Sequence, residues 1–251
     1  MNTRPQMYFS VLAVLLGLSA VIALAGGVQQ DGKAVEVLKQ MAAYKTSLDH
    51  VSITGVTFTD ATLGAGLIVS NPVEVNVSIK RPSSMRINSF DGDANKGLFF
   101  HGGLLTVYNS ANMFYAQAEV PNEIDAAMTF ALEELEVEAP FMDLLYQDTS
   151  THLLGAEETI LYLTSKSRVG GVDCHHIAIR GLEVDVQLWI EEGDRPVPRK
   201  IMITSKWEGG APRFVANLHW DTSPKFEPDF FEFKAPEGAT KIEFVARSSE
   251  Q

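Results

Sequence analysis

The sequence has only one cysteine, Cys174, among its 251 residues. An internal disulfide is therefore impossible, and the fold must depend on a hydrophobic core instead of covalent cross-links. Apolar residues make up 45% of the chain, which is enough for a substantial core. A lone thiol could pair with a second chain, but a buried and inert cysteine is the commoner arrangement.

Clusters of basic residues are also absent. The chain has 20 Lys and Arg against 32 Asp and Glu, so its formal net charge is -12 at pH 7. Because contacts with nucleic-acid phosphates need clustered lysines and arginines, this composition argues against a nucleic-acid partner. Anionic membrane surfaces would repel the chain for the same reason. We therefore expect no stable membrane insertion of the mature chain, and any membrane role must use apolar contacts or a partner protein.

Catalytic motifs are missing as well: there is no Gly-rich phosphate loop, no Gly-x-Ser-x-Gly and no His-Glu-x-x-His. The run Cys174-His175-His176 is the densest group of metal-ligating side chains. In a strand, Cys174 and His176 face one way and His175 the other, whereas zinc needs three or four ligands together. Cys174 and His176 would also lie ~7 Å apart, too far for a nucleophile and its base. We predict packed strand residues here, and no enzyme, metal site or cofactor.

The N-terminus has the pattern of an export signal. Arg4 precedes an uncharged apolar run over residues 7–25, and Ala23-Leu24-Ala25 offers the small-x-small pattern that signal peptidase cleaves. The run is also long enough to span a bilayer, so an uncleaved anchor is the alternative. We predict that residues 1–25 are a signal peptide and that residues 26–251 form one domain in the bacterial periplasm.

Residue periodicity predicts that the mature chain is mainly β (α+β). Asp31 can cap a first helix, whose apolar positions are separated by the polar Lys33, Glu36, Lys39 and Lys45. An antiparallel meander follows, then a helical insertion over 122–136 and 140–147, then further strands. The predicted strands are 51–59, 65–70, 73–81, 84–90, 95–101, 104–109, 158–165, 172–180, 182–191, 199–207, 213–220 and 242–246.

The strand 73–81 has the clearest alternation. Its apolar face carries Val73, Val75, Val77 and Ile79, and Arg81 falls on the same face at the end of the strand. A cation at the end of an apolar face suits the rim of a cavity, where its head can reach helix-terminal carbonyls. The alternative is a surface arginine lying over the sheet.

Several segments resemble the superfamily of periplasmic lipoprotein carriers (LolA/LolB-like). They are Lys80-Arg81-Pro82, residues 101–108 (HGGLLTVY), residues 139–145 (APFMDLL) and residues 231–239 (FEFKAPEGA). Residues 172–176 (VDCHH) and 189–200 (WIEEGDRPVPRK) are similar to a more specific group, exported bacterial proteins of unassigned function that are described as predicted periplasmic proteins. The sequence departs from the carriers at His101 and Gly103, where carriers have aspartate and lysine.

The resemblance implies a half-open, curved antiparallel sheet, an incomplete barrel, with helices covering its concave face. It also implies an apolar cavity for lipid acyl chains, with Arg81 holding the lid. We therefore expect a non-enzymatic protein that binds a lipid acyl chain or a lipoprotein. The alternative is a protein-interaction or sensor module that binds a protein partner on the same scaffold. The predicted ligand-binding residues are Val75, Val77, Ile79, Arg81, Phe100, Met128, Leu132 and Phe141.

Overall fold

The computed structural model describes residues 31–92, 94–139, 141–147, 149, 160–207 and 209–244. The predicted signal peptide lies outside these residues, and the prediction of one domain over 26–251 stays a prediction. The helices are α1 (Gly32–Thr46), α2 (Ile124–Leu135) and α3 (Met142–Leu145). The strands are β1 (His50–Thr62), β2 (Ile68–Lys80), β3 (Ser84–Phe90), β4 (Asn95–His101), β5 (Leu104–Asn109), β6 (Phe114–Glu119), β7 (Ile160–Val169), β8 (Val172–Arg180), β9 (Val184–Glu191), β10 (Pro198–Ser205), β11 (Arg213–Asp221) and β12 (Thr240–Ile242).

In the described residues these strands form one sheet, in the order β12-β6-β5-β4-β3-β2-β1-β11-β10-β9-β8-β7. β1 joins its two halves, because it pairs with β2 on one side and with β11 on the other. β1 to β6 form one antiparallel meander and β7 to β11 form another, as the sequence predicts. β12 and β7 lie at opposite ends of the order, so the sheet stays open. The predicted fold class, a mainly β incomplete barrel with helices on one face, is confirmed.

α1 begins where its sequence predicts, whereas α2 and α3 each begin two residues later than predicted, at Ile124 and Met142. The Asp31 side chain accepts a hydrogen bond from the backbone N–H of Lys33 at 2.8 Å, which caps the first turn of α1. The buried stripe of α1 includes Leu38 and Met41, and that of α2 includes Met128. These stripes join one core with the sheet residues Val77, Phe100 and Leu188, each fully buried. The main core therefore lies between the helices and one face of the sheet.

The strand predictions differ most from the structure at three places. The segments 65–70 and 73–81 form a single strand, β2, which runs through Pro72. Proline is tolerated there because β3 pairs with β2 only from Glu74 onward, so the other side of Pro72 is an open edge. β6 was not predicted, because its alternate residues Ala116 and Ala118 give little strand signal. β12 is shifted to Thr240–Ile242 and pairs in parallel with β6.

The chain after β11 covers the opposite face of the same sheet. Phe233 packs against Phe99, Tyr108 and Tyr115, with ring centroids 5.1, 5.7 and 5.1 Å away. The guanidinium of Arg86 lies over the rings of Phe99 and Phe230, at 4.9 and 5.0 Å. We call residues 222–239 the C-terminal segment. Its aromatic residues give the outer face of β3–β6 a second apolar layer.

Candidate ligand-binding site

The structure brings the predicted apolar site residues together in the main core. Those on the sheet, and Met128 on α2, are almost fully buried, with exposed fractions of 1% for Val75 and 2% for Met128. Leu132 is half-buried and packs against the same core. Phe141 precedes α3 in the left-handed conformation, with φ 43°, and is also buried. The register therefore places them on one surface, and their contact with a ligand stays a prediction.

Two small voids lie between the helices and the sheet. The first, which we call the apolar void, has a volume of about 10 Å³ and is lined by apolar side chains that include Met85, Phe100, Leu105, Ala127, Met128 and Met142. The second, the cationic void, also has a volume of about 10 Å³, and its lining includes Lys45, Val51, Ile79, Arg81, Leu144 and Trp220. Each volume is comparable to the space that one water molecule needs. An acyl chain would have to displace the helices.

The side chains around the apolar void are well suited to such a displacement. Met85 comes from β3, Met128 from α2 and Met142 from α3, so methionines from three elements meet at the helix–sheet interface. Methionine is unbranched and flexible, and it can repack around apolar groups of different shapes. The interface is therefore both apolar and adaptable.

Arg81 connects the end of β2 to the helices. Its Nη2 donates a hydrogen bond to the carbonyl of Leu145, the last residue of α3, at 2.9 Å. Its Nη1 lies 3.4 Å from Oδ1 of Asp125, in the first turn of α2. Burial lowers the pKa of Arg81, and Asp125 opposes that shift, but a guanidinium stays charged in either case. Arg81 thus contacts both helices that cover this part of the sheet.

Asp125 also belongs to this group of contacts. Its Oδ2 accepts a hydrogen bond from the backbone N–H of Gln147 at 2.9 Å. This bond ties α2 to the residues that follow α3. We call residues 141–147 and 149, which include α3, the lid segment. Asp125 and the lid segment therefore form one connected unit, and Arg81 holds that unit against the sheet.

Lys45 also lines the cationic void, although it is not among the ligand-binding residues predicted from the sequence. Its charge predicts a position among the polar residues of α1, but Lys45 is buried, with an exposed fraction of 5%. Its Nζ donates to the carbonyl of Tyr146 at 3.5 Å and to the hydroxyl of Thr149. The available signal was its spacing, because Lys45 follows the buried Met41 by four residues, one helical turn along the same face.

The Cys174-His175-His176 run has the predicted facing. Cys174 and His176 pair with Glu191 and Trp189 of β9, on the face opposite the main core. The His176 ring stacks on Trp189 at 4.2 Å. Cys174 is buried, and that burial raises the pKa of its thiol. Among the described residues no three His, Cys, Asp or Glu side chains are grouped so that they could hold a metal ion.

The chain matches one family model over residues 34–245, and that family is described as "Predicted periplasmic protein (DUF2092)". The chain belongs to this family. The predicted recognition of such a family is confirmed. No functionally curated protein matches this member of the family. No helix in the described part of the chain is long and apolar enough to cross a membrane.

Several solved structures are similar to this family member. LprF from Mycobacterium bovis has 10% identity and a TM-score of 0.46, and the match covers 84% of this chain and 100% of LprF. The Mycobacterium tuberculosis lipoprotein LppX has 11% identity and a TM-score of 0.46, with coverage of 78% and 99%. The LolA superfamily protein NE2245 from Nitrosomonas europaea has 10% identity and a TM-score of 0.39, with coverage of 78% and 96%.

Proposed function

We propose that this protein is a periplasmic, non-enzymatic carrier that binds an apolar or amphipathic ligand between the sheet and the helices. The ligand would be a lipid acyl chain, either free or attached to a lipoprotein. The observation that carries the proposal is the apolar void, where methionines from β3, α2 and α3 meet above Phe100. The family description supports the compartment. The predicted site residues form the surface that the chain would contact.

Binding requires the lid segment and α2 to move away from the sheet, because the voids are too small for an acyl chain. The movement breaks the contacts of Arg81 and Lys45 with these elements, each hydrogen bond to a charged group contributing about 1.5–3 kcal/mol. A bound acyl chain contributes about 0.8 kcal/mol for each buried methylene. Arg81 and Lys45 make four such hydrogen bonds, to Leu145, Asp125, Tyr146 and Thr149. Roughly eight to fifteen buried methylenes would therefore offset their loss.

A fluorescent fatty acid tests the binding site directly. We expect the lipid-stripped, folded protein to bind the probe with saturation at about one site per chain. The reason is that the predicted site residues form a single surface between the helices and the sheet. Leu132→Asp places a charge at the half-buried edge of the core and should weaken binding at least about tenfold. Leu182→Asp is the control, since Leu182 is 75% exposed. Circular dichroism must show that both variants fold.

Two outcomes would contradict this proposal. The first is the absence of saturable binding by the folded protein, which would make the protein-interaction module the better account. The second is equal weakening by Leu132→Asp and Leu182→Asp, which would place the probe on an outer surface instead of beneath the helices.

Release of the protein from the membrane depends on processing of the N-terminus. If residues 1–25 are a cleaved signal peptide, the exported protein should begin at Gly26, because signal peptidase cuts after the small-x-small pattern. Intact-mass measurement of the periplasmic fraction checks this expectation. A full-length chain found in the membrane fraction would indicate an uncleaved anchor instead.

A further inference from the structure

The cationic void brings two positive side chains together at one end of the helix–sheet interface. Lys45 approaches it from α1 and Arg81 from the end of β2. Much of the remaining lining is apolar, including Val51, Ile79 and Leu144. Charged groups interact more strongly in such surroundings than in water, and they need partners of opposite charge or good hydrogen-bond acceptors.

Both cations donate hydrogen bonds to the lid segment. Arg81 donates to the carbonyl of Leu145 at 2.9 Å, and Lys45 donates to the next carbonyl, that of Tyr146, at 3.5 Å. Lys45 also donates to the hydroxyl of Thr149. Neither cation is part of the lid segment. The lid segment therefore supplies adjacent acceptors to two cations that are anchored elsewhere.

Opening of the lid would take these acceptors away from both cations at once. Asp125 would leave with the lid segment, because its carboxylate is bonded to the backbone N–H of Gln147 at 2.9 Å. Arg81, whose side chain is only 12% exposed, would then line the opened site beside Lys45. An anion placed between the two would accept charge-assisted hydrogen bonds from both, whereas a neutral apolar group would not.

We propose that the ligand is an acyl chain with an anionic headgroup, a carboxylate or a phosphate, that replaces the lid carbonyls at Arg81 and Lys45. The inference rests on the proposed carrier function and specifies its ligand. The headgroup binds in the cationic void, and the acyl chain extends under α2 towards the apolar void. The lid segment and the headgroup thus compete for the same two cations, which couples ligand binding to lid opening.

Matched single-chain probes test this proposal. The probes are a fluorescent fatty acid, the fatty alcohol of the same chain length and the phosphate monoester of that alcohol. The wild-type protein should bind one or both of the anionic probes at least about tenfold more tightly than the alcohol, because two charge-assisted contacts are at stake. Preference for the acid identifies a carboxylate headgroup, and preference for the monoester identifies a phosphate.

The variants assign the preference to the two cations. Arg81→Met and Lys45→Met should each reduce the ratio of anion affinity to alcohol affinity by about tenfold. The ratio is the readout because any effect on folding or lid closure acts on both probes alike. Lys39→Met, on the exposed side of α1, and Arg168→Met, with a side chain 69% exposed, are the controls and should leave the ratio unchanged. If Arg81→Met does not fold, the affinity ratio measured for Lys45→Met tests the proposal.

The proposal fails if the wild type binds the alcohol as tightly as both anionic probes, or if neither cation variant changes the ratio. Those results would leave the carrier function intact with a neutral ligand. If the folded, lipid-stripped protein binds none of the probes, the carrier function itself fails, and this inference fails with it.

Discussion

Cys174 shows how the surroundings of a residue determine its chemistry. The thiol has an exposed fraction of 0% and lies on the outer face of β8, opposite Glu191 of β9. Burial raises the pKa of this thiol, so it stays protonated at neutral pH. Because the thiolate is the reactive form, the position favours packing over nucleophilic or metal-binding chemistry.

We expect Cys174 to be unreactive towards a thiol reagent in the native protein at about pH 8 and to react fully after unfolding. Native labelling should be at least about a hundredfold slower, because it requires local opening of β8. Absorbance of the released reagent measures both rates, and Cys174→Ser gives the background. Equal rates in the native and unfolded protein would show that the thiol is accessible and that the packing assignment is wrong.

Strong alternation of apolar and polar residues predicted side-chain burial correctly, whereas the polarity of a single residue did not. The facing of residues 73–81 is confirmed, because a strand with one buried face permits only one register. Lys45 was wrongly predicted to be exposed, because it is charged, although its spacing from Met41 puts it on the buried face of α1. Its burial depends on acceptors at Tyr146 and Thr149, about a hundred residues further along the chain, which local sequence does not reveal.

The connection after α2 contains a carboxyl whose ionisation makes the free energy of unfolding depend on pH. Glu138 lies next to Ala139, which lines the apolar void, and burial raises the pKa of the Glu138 carboxyl above its usual value of 4.5. A carboxyl whose pKa is raised in the folded state destabilises that state once the group is charged. This destabilisation is absent below the usual pKa and develops as the pH rises through the raised value.

Glu138→Gln should therefore stabilise the protein at about pH 7, seen as a higher urea midpoint than that of the wild type. The difference should shrink as the pH falls towards 4.5, where wild-type Glu138 becomes protonated. Glu134→Gln is the control, because it removes the same charge from an exposed position of α2. A difference that does not change with pH, or a less stable Glu138→Gln protein, would contradict the expectation.

Elements with strong periodicity could be predicted from sequence, and those fixed by distant pairing could not. β4, β5 and β8 have the predicted bounds, since each has turn residues on both sides. β6 and β12 could not be placed in this way. They are short, and they pair with each other in parallel across more than a hundred residues of intervening chain. Strand alternation and helical spacing were enough to predict that the apolar site residues share one surface. The size of the voids could not be predicted, because it depends on where the helices pack on the sheet.

The C-terminal segment packs on the outer face of the sheet through Phe233, which contacts the rings of Phe99, Tyr108 and Tyr115. Phe233→Ala removes three ring contacts and should lower the free energy of unfolding by about 2–4 kcal/mol. Phe114→Ala is the matched control, because Phe114 is 41% exposed, and its change should stay within about 0.5 kcal/mol. Urea unfolding followed by tryptophan fluorescence measures both. Equal losses in the two variants would mean that Phe233 does not fasten the segment.

The position of β1 has a consequence for how the molecule is made. Each strand from β2 to β6 pairs with the strand that precedes it in sequence. The other edge of β1 pairs with β11, and beside that pairing the backbone N–H of Arg213 donates a hydrogen bond to Oδ2 of Asp60, 153 residues away in sequence. The outer edge of β6 likewise stays unpaired until β12 has been synthesised. A chain that emerges from the ribosome or the translocon N-terminus first therefore presents a half-sheet with two open edges and an uncovered aromatic face. These are sites for pairing with another copy. The interval between emergence of Glu119 and of Ile242 is thus the period of greatest aggregation risk, and a chaperone that binds extended strands would be needed then rather than after release.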